Sequence, residues 1–356
     1  MRKTIVAAAL AALSVSAACA APFTAQGFAA RLAASAPNAG VSVAAVGADG
    51  SVATAVAGEG LSPATTFRVA SNTKTFVAAT VLRLWEDGKL KLDDSMRGYV
   101  DPAYIAALEK DGYDTAKITV RQLLAHTSGL ADHAQTKQFL DFIQSRPDHG
   151  WTRAGQMQAL VDWTDPLSAP GAQFHYSDDG YCLLGNIIER ITGQPLAVAV
   201  RSTLGFDKLG LSSTYWETQE PAPTTAGPRA HQYLMGQDTY GWNPSLDMYG
   251  GGGLVSTPAD LARFLAALFE GKVFKRPGTL QVMLSKEGIP ADSPYRLGIF
   301  EVEVAGVKGY WHSGFWGTAA LYVPSQHRGY AFAVTRQDAF KPAFEAVKAL
   351  VPAATL

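Results

Sequence analysis

The segment Ser71-Asn72-Thr73-Lys74 is the only place in the chain where a serine stands three residues before a lysine. Residues 67–70 predict an extended approach and Thr75 to Trp85 predicts a helix, so Ser71 falls where a helix begins. Residues i and i+3 share one helix face, which lets the Lys74 amine reach the Ser71 hydroxyl. A helix N-terminus favours the charge of a developing alkoxide, and burial can lower a lysine's pKa enough to make it a base. The segment indicates nucleophilic catalysis by serine, with a capping serine beside a solvated lysine as the alternative.

Two later segments carry side chains that suit the same chemistry. The first, Phe174 to Asp178, includes Tyr176 and precedes an apolar run with helical periodicity. The second, Tyr310 to Phe315, lies on or beside a predicted strand near the end of the chain. The presence of both segments favours nucleophilic catalysis by Ser71 over the alternative that Ser71 only caps a helix.

With these segments in this order, the chain resembles the class C-like branch of the serine β-lactamase and penicillin-recognising hydrolase superfamily. That branch includes class C β-lactamases, D-Ala-D-Ala carboxypeptidases, D-amino-acid amidases and family VIII esterases. The resemblance runs from about residue 25 to the end of the chain and is carried by four motifs in order: FRVASNTKTF, ITVRQLLAHTSGL, FHYSDDGYCLLGNIIERITG and GGGLVSTPADLARF.

The resemblance implies a role for each matching residue. Ser71 would be the nucleophile that forms an acyl-enzyme, Lys74 its base partner, and Tyr176 the relay that passes the proton to the leaving group. His312-Ser313-Gly314 would be the substrate-binding segment, in the place of the family's Lys-Thr-Gly strand motif. The backbone N–H groups of Ser71 and Phe315 would form the oxyanion hole. A Lys–Tyr pair can act as a base if positive charge lowers the tyrosine's pKa.

The chain departs from the family pattern at Asp178, where most relatives carry Asn. An ionised Asp only accepts hydrogen bonds, so a substrate carbonyl would lose a donor there. Asp178 could instead pair with Lys74 and hold it charged, which would shift the general-base task toward Tyr176. The alternative is that Asp178 caps a helix and never meets the substrate.

A second departure is His312, where the family motif has Lys. Histidine is fully charged only in acid, so its hold on a substrate carboxylate should weaken near neutral pH. Both departures make efficient β-lactam hydrolysis less favourable.

Several other residues invite a functional interpretation. His126, in Leu-Ala-His-Thr-Ser-Gly, could be a triad base, but a structural role is favoured because Gly129 stops the helix. Cys182 lies among apolar residues and is predicted to be buried rather than nucleophilic. An aromatic wall over the site is expected from five residues: Trp311, Phe315, Trp316, Tyr240 and Trp242.

The charge balance limits the partners that the protein can attract. The chain has 30 Lys and Arg against 31 Asp and Glu, a formal net charge of -1. Such a chain has no long-range field for phosphate backbones, which disfavours nucleic-acid and polybasic membrane binding. Two cysteines among 356 residues exclude a disulfide framework, and no metal or phosphate-loop motif is present, so we expect no cofactor.

Residues 1–20 have the features of a secretory signal peptide: a basic start, a short apolar run and small residues before a cleavage site near Ala20. Cys19 leaves a lipid anchor open as the less favoured alternative. We therefore expect a periplasmic or secreted protein. No later segment is apolar enough to span a membrane.

The predicted elements place β-rich segments at both ends of the mature chain and helices in the middle. This arrangement favours an α/β fold of the α+β type: one antiparallel sheet built from both ends, flanked by helices, with an inserted helical part. We predict one catalytic domain over residues 21–356, with its α/β part at about 21–90 and 246–356 and its helical part at about 91–245.

These observations predict an exported serine hydrolase that works through an acyl-enzyme. The expected substrates are small D-amino-acyl peptides or amides, by resemblance to the D-Ala-D-Ala carboxypeptidases. Alternatives are a family VIII-like esterase on short acyl esters and a weak class C-like β-lactamase. A non-catalytic penicillin-binding or sensor protein is least favoured, because a binder needs no activated serine.

Overall fold

The computed structural model describes residues 24–350. Its helices are α1 Ala25–Ser35, α2 Thr73–Glu86, α3 Pro102–Lys110, α4 Val120–Leu124, α5 Lys137–Ser145, α6 Arg153–Trp163, α7 Asp178–Thr192, α8 Leu196–Leu204, α9 Phe206–Leu209, α10 Pro258–Phe269, α11 Gly278–Leu284 and α12 Phe340–Leu350. Its strands are β1 Val41–Gly47, β2 Val52–Ala57, β3 Phe67–Arg68, β4 Tyr215–Trp216, β5 Tyr233–Leu234, β6 Gln237–Asp238, β7 Leu254–Ser256, β8 Phe300–Val304, β9 Val307–Gly314, β10 Thr318–Val323 and β11 Arg328–Val334.

The main sheet joins the two ends of the chain. Within the described range it has six antiparallel strands in the order β2-β1-β11-β10-β9-β8. Strand β1 pairs with β11 from Val41 opposite Val334 to Gly47 opposite Arg328. The predicted α/β fold with a sheet built from both ends is therefore confirmed, and β11 lies between β1 and β10.

Both faces of this sheet are covered, which explains why β1 is buried along its whole length. Alternate residues of a strand point to opposite faces. Val43 belongs to the apolar cluster that α1 and α12 build on one face, and Ala44 belongs to the larger cluster that includes α10 on the other. The continuous apolar run of β1 is thus the pattern of a strand with helices on both sides.

Helix α2 lies in the interior of the larger cluster and is buried along nearly its whole length. Only Arg83 and Trp85 in this helix are not buried. The sequence predicts an amphipathic helix here, and the structure shows a helix that is enclosed on all sides. Its N-terminal end is consequently held rigidly by the surrounding core.

The segment between the two parts of the sheet is mixed rather than purely helical. Helices α3 to α9 occupy it up to Leu209, as the sequence predicts. Beyond that point β4 pairs with β7, which also pairs with β3, in a small three-stranded sheet. Two-residue strands lack the length for a clear alternating pattern, so the sequence did not indicate them.

No helix in the described part of the chain combines the length and apolarity needed to cross a bilayer. The predicted signal peptide, including Cys19, lies outside the described residues. Cys182 is buried as predicted, and burial raises the pKa of its thiol well above the ordinary value.

The end of β9 packs against the segment that leads into α2. At Gly314 an added Cβ would lie 2.1 Å from the Val69 carbonyl oxygen and 2.5 Å from the Thr318 hydroxyl. Only a glycine allows the two backbones to approach this closely. This contact brings the predicted His312-Ser313-Gly314 segment beside the turn that carries Ser71.

We therefore expect Gly314→Ala to lower the free energy of unfolding by about 2–3 kcal/mol, because the backbone must shift to admit the methyl group. Urea unfolding of the purified protein measures this change. Gly98→Ala is the control, since an added Cβ at Gly98 meets nothing within 4 Å. Equal stability of the two variants would contradict the close packing of β9 on Val69.

Candidate active site

Ser71 lies in a tight 3-10 turn, Ala70–Asn72, between β3 and α2. Ala70 has a φ of 42°, a conformation that residues other than glycine rarely adopt. The Asn72 side chain holds the turn in place, because its amide donates to the Val69 carbonyl at 3.0 Å and to the Thr318 hydroxyl at 2.9 Å. Ser71 is thereby fastened to the sheet, with its side chain partly exposed to a cavity.

Lys74 is fully buried one helical turn after Ser71. Its Nζ lies 3.0 Å from Ser71 Oγ, 2.7 Å from the Gly251 carbonyl oxygen and 2.5 Å from Asp178 Oδ1, so each of its three protons has an acceptor nearby. Burial alone would lower the pKa of Lys74, but the Asp178 carboxylate and the Tyr176 phenol outweigh burial and raise that pKa above its ordinary value. The expectation that burial makes Lys74 a base is therefore wrong for the resting site, where Lys74 is a charged donor.

Asp178 is the first residue of α7 and is not its cap. The cap is Ser177, whose hydroxyl accepts a hydrogen bond from the Gly180 N–H at 3.2 Å. The Asp178 side chain faces Lys74 and is 23% exposed, on the wall of the cavity. Of the two alternatives for Asp178, pairing with Lys74 is confirmed and the capping role is wrong.

Tyr176 lies just before α7, with its ring stacked on that of Phe300 at a centroid distance of 6.3 Å. The Lys74 ammonium lies 5.0 Å from the centroid of the Tyr176 ring. Burial raises the pKa of the Tyr176 phenol to about 12, although the Lys74 charge and hydrogen bonds with Lys74 and Ser71 act in the other direction. The expected lowering of this pKa is therefore wrong for the resting site, where the phenol keeps its proton.

His126 holds the segment that carries Tyr176. Its Nδ1 accepts a hydrogen bond from the Ser177 N–H at 3.0 Å, and its carbonyl accepts one from the His175 N–H at 2.8 Å. Burial lowers the pKa of His126 well below its ordinary value, so the ring is neutral. These contacts agree with the structural role that the sequence favours.

His312 is buried on β9, and both of its ring nitrogens have partners. Its Nδ1 donates to the Ser313 carbonyl at 2.9 Å, and its Nε2 shares a hydrogen bond with the Tyr295 hydroxyl at 2.9 Å, in which either atom can be the donor. Burial, with the charge of Lys74, lowers the pKa of His312 to about 3. The expectation that a charged His312 holds a substrate carboxylate in mild acid is therefore wrong.

A cavity of about 440 Å³ collects most of the predicted site residues. Six of them line it: Ser71, Tyr176, Asp178, His312, Ser313 and Phe315. Lys74 and Gly314 are buried behind this lining.

The aromatic wall is only partly as expected. Trp311 and Phe315 line the cavity, whereas Trp316 and Trp242 are buried in the core and Tyr240 lies in a separate surface groove. Three other aromatic residues take their place in the cavity lining: Phe139, Phe174 and Phe300.

Two carboxylates of the cavity, Asp132 and Asp247, were not among the site residues predicted from the sequence. Each adjoins a motif that was recognised: Asp132 follows the Thr-Ser-Gly turn, and Asp247 precedes the glycine run that starts at Gly250. Proximity in the chain to these motifs was the available indication. Nothing local showed that either carboxylate would face Ser71.

One buried cluster has the residue types of a metal site. Ligand atoms of Asp132, His133 and Asp179 lie within 4.8 Å of one another. His133 Nδ1 is already 2.9 Å from both Asp179 oxygens, and the His133 backbone N–H donates to Asp179 at 2.9 Å. Because these contacts satisfy the Asp179 carboxylate, we interpret the cluster as an ion pair that fastens the turn at residues 132–135 to α7.

Comparison with known proteins gives a consistent result along nearly the whole chain. The Beta-lactamase family model matches residues 27–354. A crystal structure of D-amino acid amidase from Ochrobactrum anthropi SV3 has a TM-score of 0.75 and 26% identity, covering 93% of this chain and 100% of that one. A D-stereospecific amidohydrolase from Streptomyces sp. also has a TM-score of 0.75 and 26% identity, covering 89% of this chain and 98% of that one.

Among curated proteins, Protein flp from Staphylococcus aureus (strain COL) is 32% identical over 133 residues, which are 37% of this chain. The aligned residues make up 24% of that protein, so this chain covers only about a quarter of its length.

The neutral state of His312 can be tested directly by NMR titration of its imidazole. We expect its ring signals to stay at neutral-form positions from pH 8 down to about pH 4.5, while a histidine in an unstructured peptide changes near pH 6.5. His312→Asn assigns the signals by their loss. A transition of the His312 signals near pH 6.5 would contradict the burial argument.

Proposed function

Because the chain belongs to the Beta-lactamase family and is a serine hydrolase, we propose that it cleaves small D-amino-acyl amides and peptides through an acyl-enzyme on Ser71. The observation that carries this proposal is the hydrogen bond from Lys74 Nζ to Ser71 Oγ at 3.0 Å, on the wall of a cavity that can admit a small substrate. The preference for D-amino-acyl substrates is inferred from the two amidohydrolases that share the fold across nearly their whole length.

The protons of the resting site determine how Ser71 becomes a nucleophile. Since Lys74 and Tyr176 both hold their protons, neither can accept one until another proton moves. We infer that Lys74 passes a proton to Asp178 across 2.5 Å and takes the Ser71 proton in its place. Ser71 Oγ then bonds to the substrate carbonyl carbon.

Tyr176 is suited to the leaving group. Its phenol donates a proton to the amide nitrogen as the C–N bond breaks, and the Asp178 proton returns through Lys74 to restore Tyr176. The leaving amine has then gained the proton that Ser71 lost. Water attacks the acyl-enzyme by the same route in reverse, which releases the acid and regenerates Ser71.

The oxyanion formed in each step needs two donors. The backbone N–H groups of Ser71 and Phe315 are the proposed pair. Support comes from the packing of Gly314 on the Val69 carbonyl, which brings the end of β9 next to the Ser71 turn, and from the presence of both residues in the cavity lining. Ser313 and His312 would contribute their backbone and shape to substrate binding, without charge.

The charges of the cavity favour an amide over a free carboxylate. His312 is neutral, and Lys74 lies behind Ser71 and is paired with Asp178. Among residues 24–350, no Lys or Arg lines the cavity. A C-terminal carboxylate, as in a D-Ala-D-Ala peptide, or the carboxylate of a β-lactam would therefore enter without a cationic partner. The carboxypeptidase and β-lactamase forms of the activity are the less favoured versions of the proposal.

An esterase is the second candidate, because the aromatic lining also suits a short acyl ester and an ester bond needs less help from a leaving-group donor. We also propose, from residues 1–20 of the sequence, that the protein is exported with cleavage near Ala20.

Replacing Ser71 by Ala tests the nucleophile. We expect kcat/KM for D-phenylalaninamide to fall by at least about 10³-fold. The protein should still unfold cooperatively, at a somewhat lower temperature, because the buried Lys74 ammonium loses one of its three acceptors. Intact-mass analysis after mixing with a D-amino-acyl nitrophenyl ester should show an acyl adduct on the wild type and none on Ser71→Ala. Ser145→Ala on α5 is the control; an adduct on Ser71→Ala would overturn the assignment.

The predicted preference for substrates without a free C-terminal carboxylate can be tested separately. For the pair D-Ala-D-Ala-NH₂ and D-Ala-D-Ala, we expect the amidated peptide to be cleaved with a kcat/KM at least about tenfold higher, because the free carboxylate finds no cation in the cavity. Both peptides share the same amino end, so the comparison isolates the C-terminal charge. Faster cleavage of the free acid would restore the carboxypeptidase interpretation.

A further inference from the structure

Two carboxylates that line the cavity, the buried Asp132 and the half-buried Asp247, have no part in the proton transfers proposed above. Asp132 is 6% exposed and Asp247 is also largely enclosed, yet both line the cavity that contains Ser71. Among residues 24–350, neither forms an ion pair. Buried carboxylates are normally paired with a cation, so two unpaired ones in a substrate cavity call for an explanation.

The hydrogen bonds of both carboxylates come from neutral donors. Asp132 accepts from the Ala134 N–H at 2.9 Å and from the Gln135 side-chain amide at 3.0 Å. Asp247 accepts from the Trp316 indole N–H at 3.1 Å. These contacts fix the positions of the carboxylates without neutralising their charge.

The same contacts place the two carboxylates beside the proposed machinery. The Gln135 amide that holds Asp132 also donates to the Tyr176 carbonyl at 3.0 Å. On the other side, the Trp316 that holds Asp247 follows Phe315 directly in the chain. Asp132 is therefore tied through Gln135 to the segment that carries Tyr176, and Asp247 through Trp316 to the end of β9.

The cations near Asp132 and Asp247 are already paired with other carboxylates. Lys74 is paired with Asp178, and His133 with Asp179. Arg68, whose charge is felt by Asp247, makes a bidentate contact with Glu217. Burial raises the pKa of Asp132 to about 7 and that of Asp247 to about 6, and the charge of Asp178 adds to both shifts. Without a cationic partner both carboxyl groups are thus partly protonated near neutral pH, and a cation placed beside them would favour their charged form.

We propose that the missing cation belongs to the substrate, and that Asp132 and Asp247 select acyl groups with a free, protonated amine next to the scissile carbonyl. The inference rests on the proposed function, because it assigns the part of the substrate that the cavity recognises. An ammonium group is a compact donor of three hydrogen bonds and suits a cavity lined by carboxylates without a cation of their own.

The rest of the lining specifies the remainder of the acyl group. Phe139, Phe174 and Phe300 give the cavity an apolar wall next to the two carboxylates. An α-amino acid amide with an apolar or aromatic side chain presents a cation and an apolar body together. N-acylated peptides, which lack the cation, would leave the carboxylates unpaired and should be poor substrates.

The test compares D-phenylalaninamide with 3-phenylpropanamide, the same amide without the amine and with no added group. For the wild type we expect kcat/KM to be at least about tenfold higher for the free amine. The measured quantity is the ratio of the two kcat/KM values, which cancels any general loss of catalytic rate in a variant.

Asp132→Asn and Asp247→Asn remove the charges and preserve the shape. In Asp247→Asn the side-chain oxygen can still accept from the Trp316 indole, and in Asp132→Asn the one carbonyl oxygen can keep the Ala134 N–H contact, since Asn is as good a cap as Asp. The Gln135 contact is lost in Asp132→Asn, and the ratio of kcat/KM values cancels any general loss of rate that results. We expect each variant to lower the charged-to-neutral ratio and the double variant to bring it to about 1. Asp141→Asn, an exposed residue on α5 paired with Lys137, removes one negative charge outside the cavity and should leave the ratio unchanged.

A binding measurement separates this inference from the proposed function. On Ser71→Ala, calorimetry should show that 2-phenylethylamine binds, that 3-phenylpropanoate does not, and that Asp132→Asn combined with Asp247→Asn abolishes amine binding. If no amide is hydrolysed but the amine still binds selectively, the proposed function fails and the inference about charge stands. If amides are hydrolysed with a ratio near 1 in the wild type, or if the amine does not bind, the inference is overturned and the proposed function stands.

Discussion

A lysine without solvent exposure has to be surrounded by oxygen atoms, and this requirement organises the centre of the molecule. Lys74 obtains its acceptors from three parts of the chain: Ser71 in the adjoining turn, the glycine run at Gly251 and the start of α7 at Asp178. Removing one acceptor would leave a buried cation short of a partner, which is among the costliest defects in a protein interior. Ser71 is therefore held in place by the same contacts that make it reactive.

The site has a neutral residue, His312, at the position where the family pattern has a positively charged lysine. His312 stands where the family has a lysine, and its hydrogen bonds to Tyr295 and Ser313 leave it no free nitrogen. With the histidine neutral and the lysine paired, the electrostatic character of the cavity comes from its carboxylates. Two substitutions relative to the family pattern, His312 and Asp178, thus act in the same direction by making the site less attractive to anions.

The sequence predicts those parts of the protein that depend on neighbouring residues in the chain. The Ser71–Lys74 contact follows from helix geometry, and the sheet from both ends follows from alternating segments with clear turns between them. The pKa values of Lys74 and Tyr176 were predicted in the wrong direction. That of Lys74 is raised by Asp178 and Tyr176, which are more than a hundred residues away in the chain, and that of Tyr176 is raised by its burial in the fold. Asp132 and Asp247 were not predicted, because only the tertiary fold places the turn at Asp132 and the segment at Asp247 in the wall of the cavity that Ser71 lines.

Strand β11 lies between β1 and β10 in the main sheet, and its pairing joins residues that are far apart in the chain, such as Val41 and Val334. Contacts between such distant residues form slowly, because a long loop must close before they gain any stabilisation. Until β11 is in place, β1 and β10 each keep one edge without a partner, and an open apolar edge can pair with another chain. The topology that gives the folded protein a continuous sheet therefore exposes two strand edges to aggregation while the chain folds.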